Sequence, residues 1–149
     1  MRNKVSLIYT DLNGVVSEEL IWVKPIGNEL YQIDNIPFFA PNIAYEDIIS
    51  IEHEGDKMYF DNLVEMSGNS TVQLVFFEKN KNLENDILNQ IESFQCSWEG
   101  IEGGGYYSIN IPENISYKDV RKFLDDKNEI LDYKESCLSS KHSLEIMQM

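Results

Sequence analysis

The chain has 149 residues, 42% of them hydrophobic, with 26 acidic against 12 basic side chains and a net charge of −14. This length suits one domain or two small subdomains sharing a core, and the apolar and aromatic content excludes a disordered chain. The charge disfavours nucleic acid and anionic membrane as partners and favours cationic ones.

Met1 leads through Arg2 and Lys4 directly into the alternating "VSLIYT" of residues 5–10, without the apolar core of a signal peptide. No apolar run approaches the ~18 residues that a membrane span needs, so a cytoplasmic protein is expected. "VSLIYT" and "ELIWVK" (19–24) are rich in β-branched and aromatic residues and read as strands. "ELYQI" (29–33) follows a turn at Pro25–Asn28, which makes 19–33 a hairpin around "PIGN". "DIISIEHE" (47–54) and "MYFDNLVEM" (58–66), joined by "GDK", make a second hairpin. Five short strands with tight turns predict a small bent antiparallel sheet or partial barrel over 1–67.

Between the hairpins lies "NIPFFAPN". Pro37 and Pro41 lack an N–H and push Ile36 and Ala40 towards extended backbone, so this stretch connects strands and cannot join a ladder. Phe38 and Phe39 are expected to tuck beneath it and plug one end of the bent sheet, because exposed apolar patches are uncommon on soluble monomers.

From residue 68 the pattern changes. "STVQLVFFE" (70–78) is a strand with Val72, Leu74 and Phe76 on one face. In "NKNLENDILNQIESFQ" (80–95), Leu83, Ile87, Leu88, Ile91 and Phe94 share one helical face, with Asn82 as the expected N-cap and Glu84 and Asp86 near the positive end. "CSWEGIE" (96–102), a "GGG" turn and "YYSINIP" (106–112) read as a hairpin. "SYKDVRKFLDD" (116–126) reads as a helix with Ser116 and Asp119 placed as a capping box, and "EILDYKES" (129–136) as a final strand. Residues 139–149 read as a tail. The order βαββαβ over 68–138 is that of a ferredoxin-like unit, so the fold class is α+β. The helix-free face of its sheet would carry Gln73, Val75, Phe77, Tyr106, Ser108 and Asn110. It is too apolar to stay bare, so the β-rich first half or another molecule should cover it.

Chemistry-bearing residues are sparse. Cys96 and Cys137 would fall on opposite sheet edges, beyond the ~7 Å that a disulfide tolerates, and no CxxC or Cys/His cluster accompanies them. His53 would share an apolar face with Ile49 and Ile51, and His142 falls in the tail, so no activated nucleophile is expected. Glu52 and Glu54 alone fall short of a metal site. The "GGG" joins two strands and lacks the following Lys-Ser/Thr of a phosphate loop. Tyr106, Tyr107 and Phe77 could stack bases, but the basic companions of an RNA-binding sheet are missing. No cofactor, metal or catalytic residue is expected.

The stretches "LIWVKPIGNELYQIDNIPFFAPNIAYEDII", "SGNSTVQLVF", "CSWEG" and "LDYKESCL" resemble the bacterial domain-of-unknown-function family numbered 4265, over about Glu18 to Leu138. "DNIPFFA…YEDII" and "SGNST" are its most specific parts. The resemblance carries no activity and no site residues. Small proteins of this general kind often look like immunity proteins, which neutralise a toxin encoded beside them.

With the charge, this gives the functional expectation of a non-catalytic module that binds the basic surface of a nuclease-type toxin domain, and neither nucleic acid nor membrane. Residues 1–70 hold twelve acidic and four basic groups, the remainder fourteen and eight. The contact residues expected are Glu52, Glu54 and Asp56 around one hairpin turn, with Glu18, Glu19 and Glu29. The alternative is a regulatory module of ferredoxin-like type that binds a small molecule.

Overall fold

Alternating apolar side chains close the first five strands on themselves. The computed structural model describes residues 2–149. Strands β1 (Asn3–Thr10), β2 (Val16–Gly27), β3 (Leu30–Ile33), β4 (Ile48–Glu54) and β5 (Lys57–Glu65) form a closed barrel in sequence order. β1 closes on β5 in parallel through Ser6 and Tyr59. Val5, Leu7, Ile21, Val23, Ile33 and Ile49 fill the interior, and closure leaves fewer strand edges open to aggregation.

The first hairpin differs from expectation. β2 continues through Pro25 to Gly27, and the chain reverses at Asn28–Glu29, with φ of 54° and 62°. Two successive positive φ values are those of a two-residue type I′ turn, whose twist matches the flanking strands. Pro25 is tolerated because β1 has already ended at the Asn3–Val23 pair, leaving that side of β2 without a partner.

The second layer contains β6 (Ser70–Phe76), α1 (Lys81–Ser93), β7 (Ser97–Gly100), β8 (Tyr106–Ile111), α2 (Tyr117–Asp125), β9 (Leu131–Cys137) and α3 (Ser140–Met147). Its sheet runs β7-β8-β6-β9 and is antiparallel throughout, so β6 and β8 are central as the ferredoxin-like order requires. Val72, Leu74, Phe76, Ile109 and Ile111 pack against Ile87, Leu88 and Ile91 of α1 and Val120 and Leu124 of α2.

Helix α1 is capped by Asn80, two residues before the expected Asn82. Its side chain accepts the Leu83 N–H at 3.1 Å. Glu84 is buried, and its carboxylate takes the N–H groups of Asn80 (2.8 Å) and Gly105 (2.7 Å) and the Tyr107 hydroxyl (2.7 Å). Burial pushes its carboxyl up, but these donors outweigh burial and hold it below the ordinary range. The "GGG" turn is therefore anchored from beneath by a carboxylate, which leaves no anion cradle there.

The C-terminal segment is not a tail. Residues 140–147 form α3, with Ser139 as N-cap accepting the His142 N–H at 3.2 Å. His142 is fully buried, its Nδ1 2.6 Å from Ser70 Oγ and its Nε2 2.9 Å from the Ile115 carbonyl. A carbonyl can only accept, so Nε2 carries a proton. The capping box expected for α2 does not form. Ser116 makes no side-chain cap, and Glu145 of α3 accepts the Tyr117 N–H at 3.0 Å instead. No helix among the described residues is long and apolar enough to cross a membrane.

Candidate functional site

The two layers meet along the connection between β3 and β4, which is gripped from both sides. Glu99 of β7 accepts the Ile36 N–H at 2.7 Å, and Ser108 of β8 donates to the Pro37 carbonyl at 2.6 Å. The Tyr106 hydroxyl donates to the Phe38 carbonyl. From the barrel, Glu19 accepts the N–H groups of Phe38 (2.7 Å), Phe39 (3.0 Å) and Ala40 (2.8 Å). A stretch interrupted by prolines cannot satisfy its own backbone groups, so carboxylates and hydroxyls do so.

Phe38 and Phe39 are each more than half buried, as expected, but neither packs into the barrel core to plug its end. Ala40 and Ile43 pack into the barrel core, while Phe39 stacks on Tyr106 of the second sheet at 5.1 Å between centroids. The helix-free sheet face is thus covered in part by the first half of the chain, with Ser108 and Asn110 buried and Val75 and Phe77 left exposed.

"SGNST" fastens the same seam. Ser67 N–H donates to Asp47 Oδ1 (2.8 Å), and Ser67 Oγ and Asn69 Nδ2 both donate to the Tyr45 carbonyl (2.9 Å each). Thr71 Oγ1 donates to the Ile43 carbonyl at 3.2 Å. Gly68 adopts φ +91°, a conformation that side chains with a Cβ rarely take. Burial pushes the Asp47 carboxyl up, although the Ser67 and Ala44 N–H groups pull against it.

One uncovered part of the seam is a cleft of about 440 Å³ between the β1–β2 turn, Phe39 and the exposed part of the second sheet. Phe39 and Tyr106 wall one side, and Leu12, 87% exposed, overhangs the mouth. Gln73, Asp132 and Lys134 supply polar groups to the lining.

The six acidic residues expected to bind a partner separate into three groups. In an up-and-down barrel, alternate turns lie at alternate ends. The β2–β3 turn with Glu29 and the β4–β5 turn with Glu52, Glu54 and Asp56 therefore share the end away from the cleft. All four are exposed. Glu18 lies on the outer barrel wall, where Ser6 Oγ donates to it. Glu19 is a correction: it is 8% exposed and spent on the Phe38–Ala40 backbone, so it is a joint residue and not a contact surface. An inward position on β2, alternating with Ile21 and Val23, dictates this.

His53 is also corrected, since it is exposed and not half-buried beside Ile49 and Ile51. The last β3–β4 pair is Leu30–Ser50, so residues 51–54 pair only with β5; Ile51 still packs against the barrel core, while residues 52–54 are exposed. Among the described residues no group of three His, Cys, Asp or Glu side chains is placed to hold a metal.

The structure also brings together Ser70 and His142, a pair invisible in a sequence read as having a C-terminal tail. Both are fully buried, so no substrate reaches Ser70 Oγ and the contact serves packing. Cys96 and Cys137 are free thiols, Cys96 just before edge strand β7 and Cys137 the last residue of the opposite edge strand β9. Burial pushes Cys96 up to about 12 and, with a smaller contribution from Asp47, Cys137 to about 11. Iodoacetamide at pH 8 should therefore leave both largely unmodified in the folded protein and label both in urea, as read by intact mass; rapid labelling of folded protein would contradict their burial.

No curated protein matches the chain. A solved structure described as a novel crystal structure of a hypothetical protein from Neisseria gonorrhoeae is 32% identical, covers 93% of this chain and 96% of that one, and superposes with a TM-score of 0.82. The model of the family described as "Domain of unknown function (DUF4265)" matches residues 19–132, which include the whole gripped connection and the "SGNST" seam. The chain belongs to that family.

Proposed function

We propose that the protein is a non-catalytic, cytoplasmic protein-binding module of the immunity type, which covers the basic surface of a nuclease-type toxin domain. The observation that supports this reading best is the acidic end of the barrel. Glu29, Glu52, Glu54 and Asp56 are exposed there, and none joins either ion pair found among the described residues, Arg2–Asp34 and Arg121–Glu135. Three carboxylates around one turn outnumber the single neighbouring Lys57, and such a net negative patch steers a cationic partner at long range. Enzymes that cleave nucleic acid carry the complementary basic surface.

The test is protection. Cells expressing a basic toxin domain encoded beside this chain should survive when the chain is co-expressed. The triple variant E52K/E54K/D56K should lose most of that protection while keeping its thermal stability, because these side chains make no structural contacts. Full protection by the folded variant removes this patch from the function. Failure of the parent chain to protect or bind removes the immunity reading.

A second reading, a small-molecule-binding module, is favoured by the polar groups of the cleft at the opposite end of the barrel.

A further inference from the structure

The cleft contains a polar group that the fold does not use. Gln73 is 6% exposed and lines the cleft, yet its Nε2 has no hydrogen-bond partner. A buried amide left unpaired costs about 1–3 kcal/mol, and of the two unpaired side chains on the helix-free face of β6 and β8, Gln73 and Asn110, Gln73 is the one that lines the cleft.

Its neighbours narrow what could satisfy it. Gln73 pairs directly with Lys134 across β6 and β9, and Val75 with Asp132. Directly opposed side chains lie about 5 Å apart at Cβ, and diagonal ones within about 8 Å. Lys134 is exposed and joins neither ion pair found among the described residues. A carboxylate placed beside Gln73 and Lys134 would meet two donors. One oxygen of Asp132 takes the Tyr133 N–H, and its other oxygen makes no hydrogen bond among the described residues. The remaining charge at the cleft, Asp11, is occupied by the β1–β2 turn: Oδ1 accepts the N–H groups of Asn13 and Val15 (2.9 Å each), and Oδ2 the Ser17 hydroxyl.

This layout disfavours a simple anion, which would face two aspartates, and a simple cation, which would face Lys134. It suits a molecule carrying both charges. Apart from Thr10 and Asn13, the rest of the lining is apolar and aromatic, with Phe39 46% exposed and Leu12 and Val75 uncovered. A volume of about 440 Å³ lies within the usual range for small-ligand pockets, roughly 300–1,000 Å³.

We infer that the cleft binds a free α-amino acid with a large apolar side chain. The carboxylate lies against Gln73 and Lys134, the ammonium against Asp132, and the side chain between Leu12, Phe39 and Val75. The inference does not rest on the toxin-binding reading, since the cleft and the acidic turns lie at opposite barrel ends.

Calorimetric and NMR titration of the full chain with L-phenylalanine and L-leucine tests it, using the N-acetyl and amide derivatives as controls. The expected result is saturable binding of at least one free amino acid, with shifts confined to cleft residues such as Leu12 and Val75. Removing either charge from the ligand should weaken binding at least tenfold, and Lys134→Met should do the same. Gln73→Leu should weaken binding at least fivefold while leaving the unliganded protein as stable as the parent or more so, an outcome that a structural role for the amide would reverse. No saturable shift up to 10-fold molar excess at millimolar protein overturns the inference, as does equal affinity for the N-acetyl derivative. If Gln73→Leu fails to fold, Lys134→Met, an exposed substitution, carries the test alone.

Discussion

Glu19→Ala is expected to destabilise the protein by about 3–5 kcal/mol. The carboxylate accepts three backbone N–H groups, those of Phe38, Phe39 and Ala40, at 2.7–3.0 Å. Alanine would leave these donors without partners where little water reaches them, at about 1–3 kcal/mol each with partial relief from loop movement. For a chain of this length that corresponds to a fall in Tm of about 10 °C. Glu19→Gln keeps one acceptor oxygen and should lose roughly half as much. Glu18→Ala is the control, because Glu18 is exposed and accepts only the Ser6 hydroxyl, so its loss should cost about 1 kcal/mol or less. Urea unfolding of the three variants checks the ranking. Equal stability of Glu19→Ala and Glu18→Ala would mean that the connection between the layers is held by something other than this carboxylate.

His142→Ala should be comparably severe, at about 3–5 kcal/mol. The imidazole is fully buried, bridges Ser70 and the Ile115 carbonyl, and packs beside Tyr117 with ring centroids 6.0 Å apart. Truncation opens a cavity and strands two polar groups. It also loosens α3, whose Glu145 accepts the Tyr117 N–H that starts α2. Faster amide exchange at Tyr117 should therefore accompany the lower stability. If deletion of residues 139–149 leaves stability and Tyr117 exchange unchanged, α3 is the dispensable tail that its composition suggests.

These two residues mark where the amino-acid sequence was legible and where it was not. The strand order and the helix faces follow from period: Val72, Leu74 and Phe76 alternate, and Ile87, Leu88 and Ile91 recur at helical spacing, each pattern matching its buried face. Glu19 belongs to such a pattern too, but a carboxylate at an inward strand position looks like a surface charge until its backbone partners, about twenty residues away, are known. His142 was hidden for a related reason. "SKHSLEIMQM" is short and polar for a packed helix, and its anchor contacts, Ser70 and Ile115, are 72 and 27 residues distant. Helix propensity cannot reveal packing of that kind. At the cleft, Tyr106, Val75 and Gln73 were readable as members of one sheet face. That Phe38 and Phe39 cover part of that face, leaving Gln73 buried and unpaired, depends on how barrel and sheet meet.

The central functional claim is that the acidic barrel end recruits a basic toxin domain by electrostatic steering. Stopped-flow association of parent and E52K/E54K/D56K proteins with that domain, across a salt series, tests it most directly. Steered association runs near 10⁸ M⁻¹s⁻¹ at low salt and falls steeply as salt rises, against roughly 10⁵–10⁶ M⁻¹s⁻¹ without steering. The parent should show the fast, salt-sensitive rate, and the folded triple variant a rate at least tenfold slower at low salt, with the two converging at high salt. A variant that associates as fast as the parent at low salt would contradict the claim.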